Sequence, residues 1–249
     1  MGTGGDHLLL ISCLAGGGVP GGLFAWDGSS VEQIDPLTTA GLDWDGRRLA
    51  RVLDSSCQDE GVQTSRLVVS DEHGLRHHHR LEDVTSPHGI RWDGDAVVVV
   101  ATTQNRLVWI GEDGRERRRW QAPGGPESWH LNDVVAADGR LHVCAFGRFE
   151  RSYGWKAGGQ PSGCVVAIDS GEEVIGGLER PHSPRLVDGC WLVCNSSAGE
   201  LVAVDPATGR IVRRQEVGTW PRGLVVDGER IYIGISQFRG RADYVPASV

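Results

Sequence analysis

Three histidines stand shortly before an Asp-Gly dipeptide, at separations of five, six and eight residues from its Asp. They are His88, His182 and His130, in that order. Three neutral imidazoles that converge form a three-nitrogen metal site with an open coordination position. A divalent ion held there polarises a substrate oxygen or lowers the pKa of bound water. We therefore predict one divalent metal ion (zinc, iron or manganese) held by these three histidines.

Four polar residues near the histidines have the chemistry that a metal-dependent enzyme needs. Asp133 is the candidate proton acceptor, and Asn132 beside it is suited to orient a ligand. Arg185 and Arg222 each carry a planar guanidinium, which binds a carboxylate through two parallel hydrogen bonds. We predict these four residues as the catalytic set, acting on a small molecule that bears a carboxylate or several hydroxyl groups.

A second group of side chains stands in loops that lead to the same predicted face. The predicted substrate-binding residues are Trp129, Trp220, Asn105, Asn195, Gln237 and Arg148. Arg148 begins a long insertion that is aromatic and glycine-rich and extends to Gln160. Long loops in compact domains are frequently lids or binding loops. A disordered insertion is the alternative interpretation of the same segment.

The histidines are positioned by a repeat that runs through the chain. Five Asp-Gly or equivalent hairpin signals recur at separations of 48, 45, 50 and 39 residues, at Asp45, Asp93, Asp138, Asp188 and Asp227. This spacing matches the roughly 40–50 residues of one β-propeller blade. We predict an all-β chain, a single β-propeller domain over residues 1–249. Five blades are favoured and six are possible. Pairing of the N-terminal and C-terminal strands would close the ring and remove an exposed sheet edge.

One repeat unit illustrates why strands are predicted. Gly89–Trp92 leads into a two-residue hairpin signal, and the short β-branched run Ala96–Ala101 follows as a buried strand. Arg106–Ile110 is the third strand. The charged segment Glu116–Trp120 suits an outer edge strand, because charge discourages edge-to-edge association.

Blade geometry brings the entry loops and the loops between second and third strands to one face. These loops are rich in His, Arg and Asn, whereas the opposite turns are plain Asp-Gly, Ser-Gly and Thr-Gly. The alignment is imperfect, because a strict count of five residues before each Asp gives Ala40, His88, Asp133, Ser183 and Arg222. His130 needs a bulge to reach the axis. The alternative for each histidine is a structural role, capping a strand or bonding a neighbouring carbonyl.

Composition and charge narrow the classes of molecule that this protein could bind. The net charge of −8 and the lack of a basic stripe argue against nucleic-acid binding. No apolar run approaches the roughly 20 residues of a membrane span, and the N-terminus lacks the basic region of a signal peptide. We expect a cytoplasmic protein with a small-molecule substrate and no membrane partner. The sequence does not decide the oligomeric state.

Three motifs carry a resemblance to a known family: Trp129-His-Leu-Asn132, Pro181-His-Ser-Pro-Arg185 and Pro221-Arg-Gly-Leu224. In these the chain resembles an uncharacterised bacterial family of β-propellers, which implies the fold and no established reaction. Asn132-Asp133 is also distantly similar to the gluconolactonase-like and strictosidine-synthase-like propellers. The three histidines resemble those of amidating lyases, which hold zinc with blade histidines.

These observations favour a metal-dependent enzyme that acts on a small polar molecule by elimination, isomerisation or hydrolysis. A lactonase-like hydrolase is one alternative. The other is a non-catalytic propeller that binds a peptide or small ligand through the same face, since Arg and Trp are frequent interface anchors.

Overall fold

The computed structural model describes residues 8–16, 20–54, 64–157 and 160–236. Apart from two short 3₁₀ helices, Gly154–Ala157 and Ser196–Ala198, the regular structure in these ranges is β-strand. None of the described helices is long and apolar enough to cross a membrane. The chain divides into two compact units, Met1–Ala122 (unit 1) and Pro123–Val249 (unit 2). The single-domain organisation and the cytoplasmic location stay predictions.

Unit 1 contains eleven of the described strands. They are β1 (Leu9–Cys13), β2 (Gly22–Trp26), β3 (Val31–Asp35), β4 (Thr39–Trp44), β5 (Leu49–Asp54), β6 (Ser65–Asp71), β7 (Gly74–Leu81), β8 (Pro87–Asp93), β9 (Ala96–Ala101), β10 (Arg106–Gly111) and β11 (Glu116–Gln121). They form antiparallel sheets in the order β1-β2-β3, β4-β5-β6-β7 and β8-β9-β10-β11. The first strands β4 and β8 contact each other.

Unit 2 contains ten described strands. They are β12 (Leu131–Ala137), β13 (Arg140–Ala145), β14 (Gly163–Ala167), β15 (Glu173–Leu178), β16 (Pro181–Val187), β17 (Cys190–Asn195), β18 (Glu200–Val204), β19 (Ile211–Glu216), β20 (Pro221–Asp227) and β21 (Arg230–Ile235). Their sheets are β12-β13-β14-β15, β16-β17-β18-β19 and β20-β21. The first strands β12, β16 and β20 contact one another in that order.

The four complete antiparallel sheets and the two shorter terminal sheets have the five-blade arrangement of a β-propeller. The predicted fold class and the favoured blade count are confirmed. Pairing between the N-terminal and C-terminal strands stays a prediction.

Burial within a blade follows the sequence pattern. Every residue of β9 and β10 is buried, including the run Val97–Val100, and burying each such side chain contributes about 1.5–3 kcal/mol. The outer strand β11 is charged and exposed along most of its length. The histidine run His77–His79 lies on β7, the outer strand of its sheet. The charged and polar outer strands protect edges that would otherwise pair with other chains.

The Asp-Gly dipeptides make two different hairpins. Asp138-Gly139 is the two-residue loop between paired Ala137 and Arg140, with positive φ angles of 50° and 72°. Positive φ at both loop positions is typical of the type I′ hairpin, which Asp-Gly favours. Asp93, by contrast, is itself the last paired residue of β8, opposite Ala96. A count of residues from the Asp therefore slips by one between blades.

His142 on β13 is an ionisable group inside the core of unit 2. Only 4% of the surface of His142 is exposed. Its ring packs edge-on against Trp191, with ring centres 5.2 Å apart, and its Nδ1 has no hydrogen-bond partner among the described residues. Burial, together with the charge of Arg140, lowers the pKa of His142 from its ordinary 6.5. The unfolded chain therefore binds a proton at this site more tightly than the folded chain does.

We predict that the contribution of His142 to the free energy of unfolding is most favourable above pH 6.5. This contribution decreases as the pH falls toward the lowered pKa of His142. The loss is at most about 1.4 kcal/mol for each pH unit in that window. Urea unfolding as a function of pH measures it. His142→Leu should flatten the dependence, whereas His73→Gln, a change at an exposed histidine, should not. An unchanged slope in His142→Leu would contradict this assignment.

Candidate functional site

Four first strands begin with the same unusual backbone. The residue before each strand has a positive φ, 47° at Ser86, 49° at His130, 51° at Arg180 and 53° at Trp220. This left-handed conformation costs a residue other than glycine roughly 1–2 kcal/mol. A register irregularity follows within the first residues of each strand, at β8, β12, β16 and β20. The repeated distortion gives the second residue of each strand an equivalent position.

The second-position residues are His88, Asn132, His182 and Arg222. Two of the three predicted metal ligands, His88 and His182, belong to this set, whereas His130 stands two positions before Asn132, at the left-handed residue. Asn132 is the structural counterpart of the other two histidines. The strict count from the Asp chose Asp133 and Ser183 instead, because the Asp lies inside the loop in those two blades.

His182 is held in one orientation by its Nδ1 side. Nδ1 lies 3.1 Å from the carbonyl oxygen of Arg180 and 2.7 Å from the hydroxyl of Ser196. A carbonyl only accepts, and the Ser196 hydroxyl donates to the carbonyl of Pro221. Nδ1 therefore carries the ring proton of neutral His182, and Nε2 carries the lone pair. Such a fixed tautomer is usual for a metal-binding or catalytic imidazole.

His88 in unit 1 has the same local environment. Its Nδ1 lies 3.1 Å from the carbonyl oxygen of Ser86 and 2.9 Å from the hydroxyl of Thr102. The carbonyl again requires the proton on Nδ1, so Nε2 of neutral His88 also presents a lone pair. The contact to Thr102 spans 14 residues, as does the contact between His182 and Ser196.

Asn132 is buried beside the start of β16, with 3% of its surface exposed. Its Nδ2 donates to the carbonyl of Pro181 at 2.9 Å, which fixes the orientation of the amide. Its Oδ1 is buried and has no hydrogen-bond partner among the described residues. A buried acceptor left without a donor costs about 1–3 kcal/mol, which makes this atom a candidate ligand contact.

His130 forms a different kind of pair. Its Nδ1 bonds the carboxylate of Glu127, and both side chains are largely buried. The ring packs against Phe146 at 4.1 Å and Trp155 at 4.5 Å. Phe146 also contacts His182, with ring centres 5.3 Å apart, so both imidazoles belong to one aromatic cluster. A carboxylate that accepts from Nδ1 leaves Nε2 as the proton acceptor.

Asp133 and Arg185 form an ion pair with each other. Arg185 Nη1 lies 3.1 Å from Asp133 Oδ2 and also donates to the carbonyl of Pro184. The second carboxylate oxygen of Asp133 accepts from the amide of Val134. These contacts suit a role in positioning the strands better than the predicted roles of proton acceptor and substrate clamp.

The predicted substrate-binding residues separate into buried and accessible groups. Trp129 is buried, and Arg148 lies over its ring. Asn195 Oδ1 accepts from the amide of Glu179, and Asn195 Nδ2 donates to the carboxylate of Glu200. Asn105 is buried in the turn between β9 and β10 of unit 1, with a positive φ. Gln237 lies outside the described residues. Trp220 and Arg222 are half-buried.

Arg180 is a residue that the sequence analysis missed. Its guanidinium carbon lies 5.7 Å from the ring centre of Trp155 and 5.9 Å from that of Trp220. Trp220 in turn lies 6.3 Å from the ring of His182. Trp155 belongs to the predicted binding loop and is anchored by its indole N–H, which donates to the carbonyl of Glu127. The signal in the sequence was the position of Arg180 directly before the Pro-His motif.

No group of three or more His, Cys, Asp and Glu side chains suited to hold a metal ion occurs in the parts of the chain that the structure describes. The amide oxygen Asn132 Oδ1 belongs to none of these four residue types. The predicted metal ion and its three histidine ligands stay predictions.

Unit 1 has a polar cleft of about 230 Å³ that contains none of the predicted site residues. Its lining residues are Arg47, Arg48, Asp71, Arg76, His77 and Glu112. The cleft lies near the hairpin turns, and acidic neighbours compensate its central arginines, Asp45 and Glu112 for Arg48 and Asp71 for Arg76. Since this charge is balanced internally, we do not place the function there.

Comparison with known proteins adds a family and a fold. The profile of a family described as a domain of unknown function, DUF4915, matches residues 67–249. The chain belongs to this family. The match agrees with the predicted resemblance to an uncharacterised family, and no functionally curated protein matches the sequence. The more distant resemblances to lactonase-like, strictosidine-synthase-like and amidating-lyase propellers stay predictions.

Two solved structures illustrate how widely the fold of this family member is shared. A nidogen/laminin complex has a chain with 16% identity and a TM-score of 0.64, over 92% of this chain and 85% of that one. A candidate 6-phosphogluconolactonase from Bacteroides fragilis has 14% identity and a TM-score of 0.57, over 92% of this chain and 87% of that one. At these identities the similarity concerns the fold alone.

We predict that metal-free protein has the ring proton of His182 on Nδ1. Ser196→Ala should keep the proton there, because the carbonyl of Arg180 still accepts from Nδ1, and should lose about 1–3 kcal/mol of stability with the hydrogen bonds of the missing hydroxyl. Long-range ¹H–¹⁵N NMR of the histidine ring and urea unfolding measure the two effects. The exposed change Ser170→Ala should alter neither. Wild-type protein with the proton on Nε2 would contradict the assignment.

Proposed function

We propose that unit 2 carries a metal-dependent hydrolytic site for a small polar molecule. In this proposal, Nε2 of His182 and Oδ1 of Asn132 contact a divalent cation, and His130 handles the proton. The observation that carries the proposal is that two buried acceptors occupy equivalent positions on the adjacent strands β16 and β12.

The chemistry of the two acceptors supports a cation. The lone pair of an imidazole nitrogen and the oxygen of a primary amide are both metal ligands, and a mixed nitrogen and oxygen set suits zinc, manganese or ferrous iron. The cation would satisfy the buried oxygen of Asn132, which has no donor among the described residues. A bound ion of this kind supplies Lewis acidity and a bound water of lowered pKa.

His130 is the proposed general base. Glu127 accepts from Nδ1 of His130, holds the ring in one orientation and would stabilise the imidazolium that forms. Phe146 and Trp155 pack on the ring and shield it from bulk water. This role differs from the ligand role that the sequence suggested for His130, and it follows from the position of Glu127.

We propose ester hydrolysis, with a cyclic ester as the first substrate to assay. In this reaction the oxygen of water bonds to the ester carbonyl carbon, the ring C–O bond breaks, and the product is a hydroxy acid. The proton removed by His130 passes to the leaving alkoxide, so atoms and charge balance. The fold shared with a candidate 6-phosphogluconolactonase guides the choice of assay and carries no further argument.

A non-catalytic binding propeller is the second candidate. The half-buried Trp155, Trp220 and Arg180 are residue types that anchor protein interfaces, and they lie together in unit 2. This candidate needs neither a cation nor the pair of His130 and Glu127. Metal content and hydrolysis therefore separate the two functions.

We predict about one equivalent of zinc, manganese or iron per chain in protein purified without a histidine tag, measured by elemental analysis. His182→Gln and Asn132→Leu should each lose the metal. His130→Gln should keep the metal and lower kcat for sugar-lactone hydrolysis by about 100-fold or more, because a general base contributes that much. The metal content of His88→Gln tests whether His88, the remaining ligand predicted from the sequence, also holds the ion.

The matched control is His73→Gln, because His73 is exposed and should change neither metal content nor rate. Circular dichroism verifies that each variant folds. Protein that takes up no metal after incubation with zinc, manganese or ferrous iron would refute the cation. Metal-loaded protein that hydrolyses none of the sugar lactones assayed would favour the binding propeller.

A further inference from the structure

Arg180 is a cation near two indole rings. Its guanidinium carbon lies within 6 Å of both the Trp155 and the Trp220 ring centres, a distance typical of cation–π contacts. The backbone of Arg180 also accepts from Nδ1 of His182. One residue therefore fixes the imidazole through its carbonyl and carries a guanidinium close to Trp220, which also contacts that imidazole.

The guanidinium of Arg180 differs from that of Arg185 in its charge balance. No carboxylate of a described residue lies within ion-pair distance of its guanidinium, whereas Arg185 is paired with Asp133 and Arg214 with Glu200. The carboxylate of Glu127 is paired with Nδ1 of His130. A second cation, Lys156, lies 5.1 Å from the ring centre of Trp155. Arg180 is thus a cation without an ion-pair partner among the described residues, in a chain whose net charge is −8.

The two indoles shape what this cation binds. Their rings lie near its guanidinium carbon, and the N–H groups of a guanidinium match two oxygens of a carboxylate or phosphate. Trp220 contacts both Arg180 and His182, so an oxyanion bound by Arg180 would lie close to the proposed metal ligand.

We propose that Arg180 binds an oxyanion of the substrate, so that the substrate class is a small molecule carrying a phosphate or carboxylate group. The inference deepens the proposed function and rests on unit 2 being the substrate site. It assigns to Arg180 the carboxylate-binding role that the sequence suggested for Arg185 and Arg222, which stays a prediction for Arg222.

Titration with inorganic phosphate and, separately, with acetate tests the proposal, with glycerol as the neutral control. Tryptophan fluorescence and calorimetry should reveal saturable binding of at least one anion and none of glycerol. The stronger anion indicates whether the natural group is a phosphate or a carboxylate. Arg180→Gln should weaken binding at least 10-fold, and Arg180→Lys, which keeps the charge and loses the planar edge, should weaken it less.

Arg213→Gln on the exposed strand β19 is the matched control, which removes one positive charge away from the site and should leave the affinity unchanged. Equal affinity in wild type and Arg180→Gln, or no saturable anion binding by the wild type, would overturn the proposal. Far-ultraviolet circular dichroism and thermal melting separate a binding defect from misfolding.

Kinetics distinguish failure of this inference from failure of the proposed function. Arg180→Gln should raise KM for a phosphorylated or carboxylated lactone at least 10-fold and leave KM for its neutral analogue unchanged. If the protein hydrolyses neutral and anionic lactones and Arg180→Gln changes neither KM, the oxyanion role of Arg180 is overturned and the proposed hydrolase function is retained. Anion binding that depends on Arg180 without any hydrolysis keeps the oxyanion site and overturns the hydrolase.

Discussion

The left-handed residue before a first strand is the constraint on which the proposed site depends. Its backbone turns the chain so that the next residue begins the strand and the one after it reaches the same position in four blades, those that begin with β8, β12, β16 and β20. The cost of roughly 1–2 kcal/mol per residue persists only where the surrounding structure holds the conformation, and hydrogen bonds between blades contribute to that. In unit 2, Asn132 donates to the carbonyl of Pro181, and Ser196 donates to the carbonyl of Pro221. Each bond ties one blade to the start of the next.

These bonds separate residues that hold the structure from residues that remain available for chemistry. Asn195, Asp133 and Arg185 use their polar atoms on protein partners, so their contribution is to fix the strands. His182 uses Nδ1 in the same way, and its Nε2 is left as a lone pair by the position of the ring proton. Asn132 uses Nδ2 and leaves Oδ1. The same hydrogen bonds that build the fold thus determine which atoms the proposed site assigns to a ligand.

The blade repeat was predictable because Asp-Gly and short β-branched runs are local signals. The strand Ala96–Ala101 has the bounds expected from its residues, and the outer strand Glu116–Gln121 differs from the expected segment by one residue. The register of the site residues was harder to predict, because Asp138-Gly139 forms the hairpin loop, whereas Asp93 is itself the last paired residue of its strand. The dipeptide is identical in both cases, and the pairing of the flanking strands decides between them.

Contacts between distant segments were not readable from the sequence. The pairing of His130 with Glu127 has a local spacing of three residues, yet its meaning depends on Phe146 and Trp155, which come from elsewhere in the chain. Arg180 appeared as an ordinary loop residue, since only the folded chain brings its guanidinium to Trp155 and Trp220. The ion pair of Arg185 with Asp133 joins residues 52 positions apart, so no local pattern indicates it.

Anomalous diffraction from zinc-soaked crystals tests the central claim most directly. The account predicts a zinc peak about 2.0–2.2 Å from Nε2 of His182 and from Oδ1 of Asn132, with Nδ1 of His182 still bonded to Ser196. A crystal in which zinc binds elsewhere, and in which Oδ1 of Asn132 and Nε2 of His182 are bonded to protein donors, would contradict it.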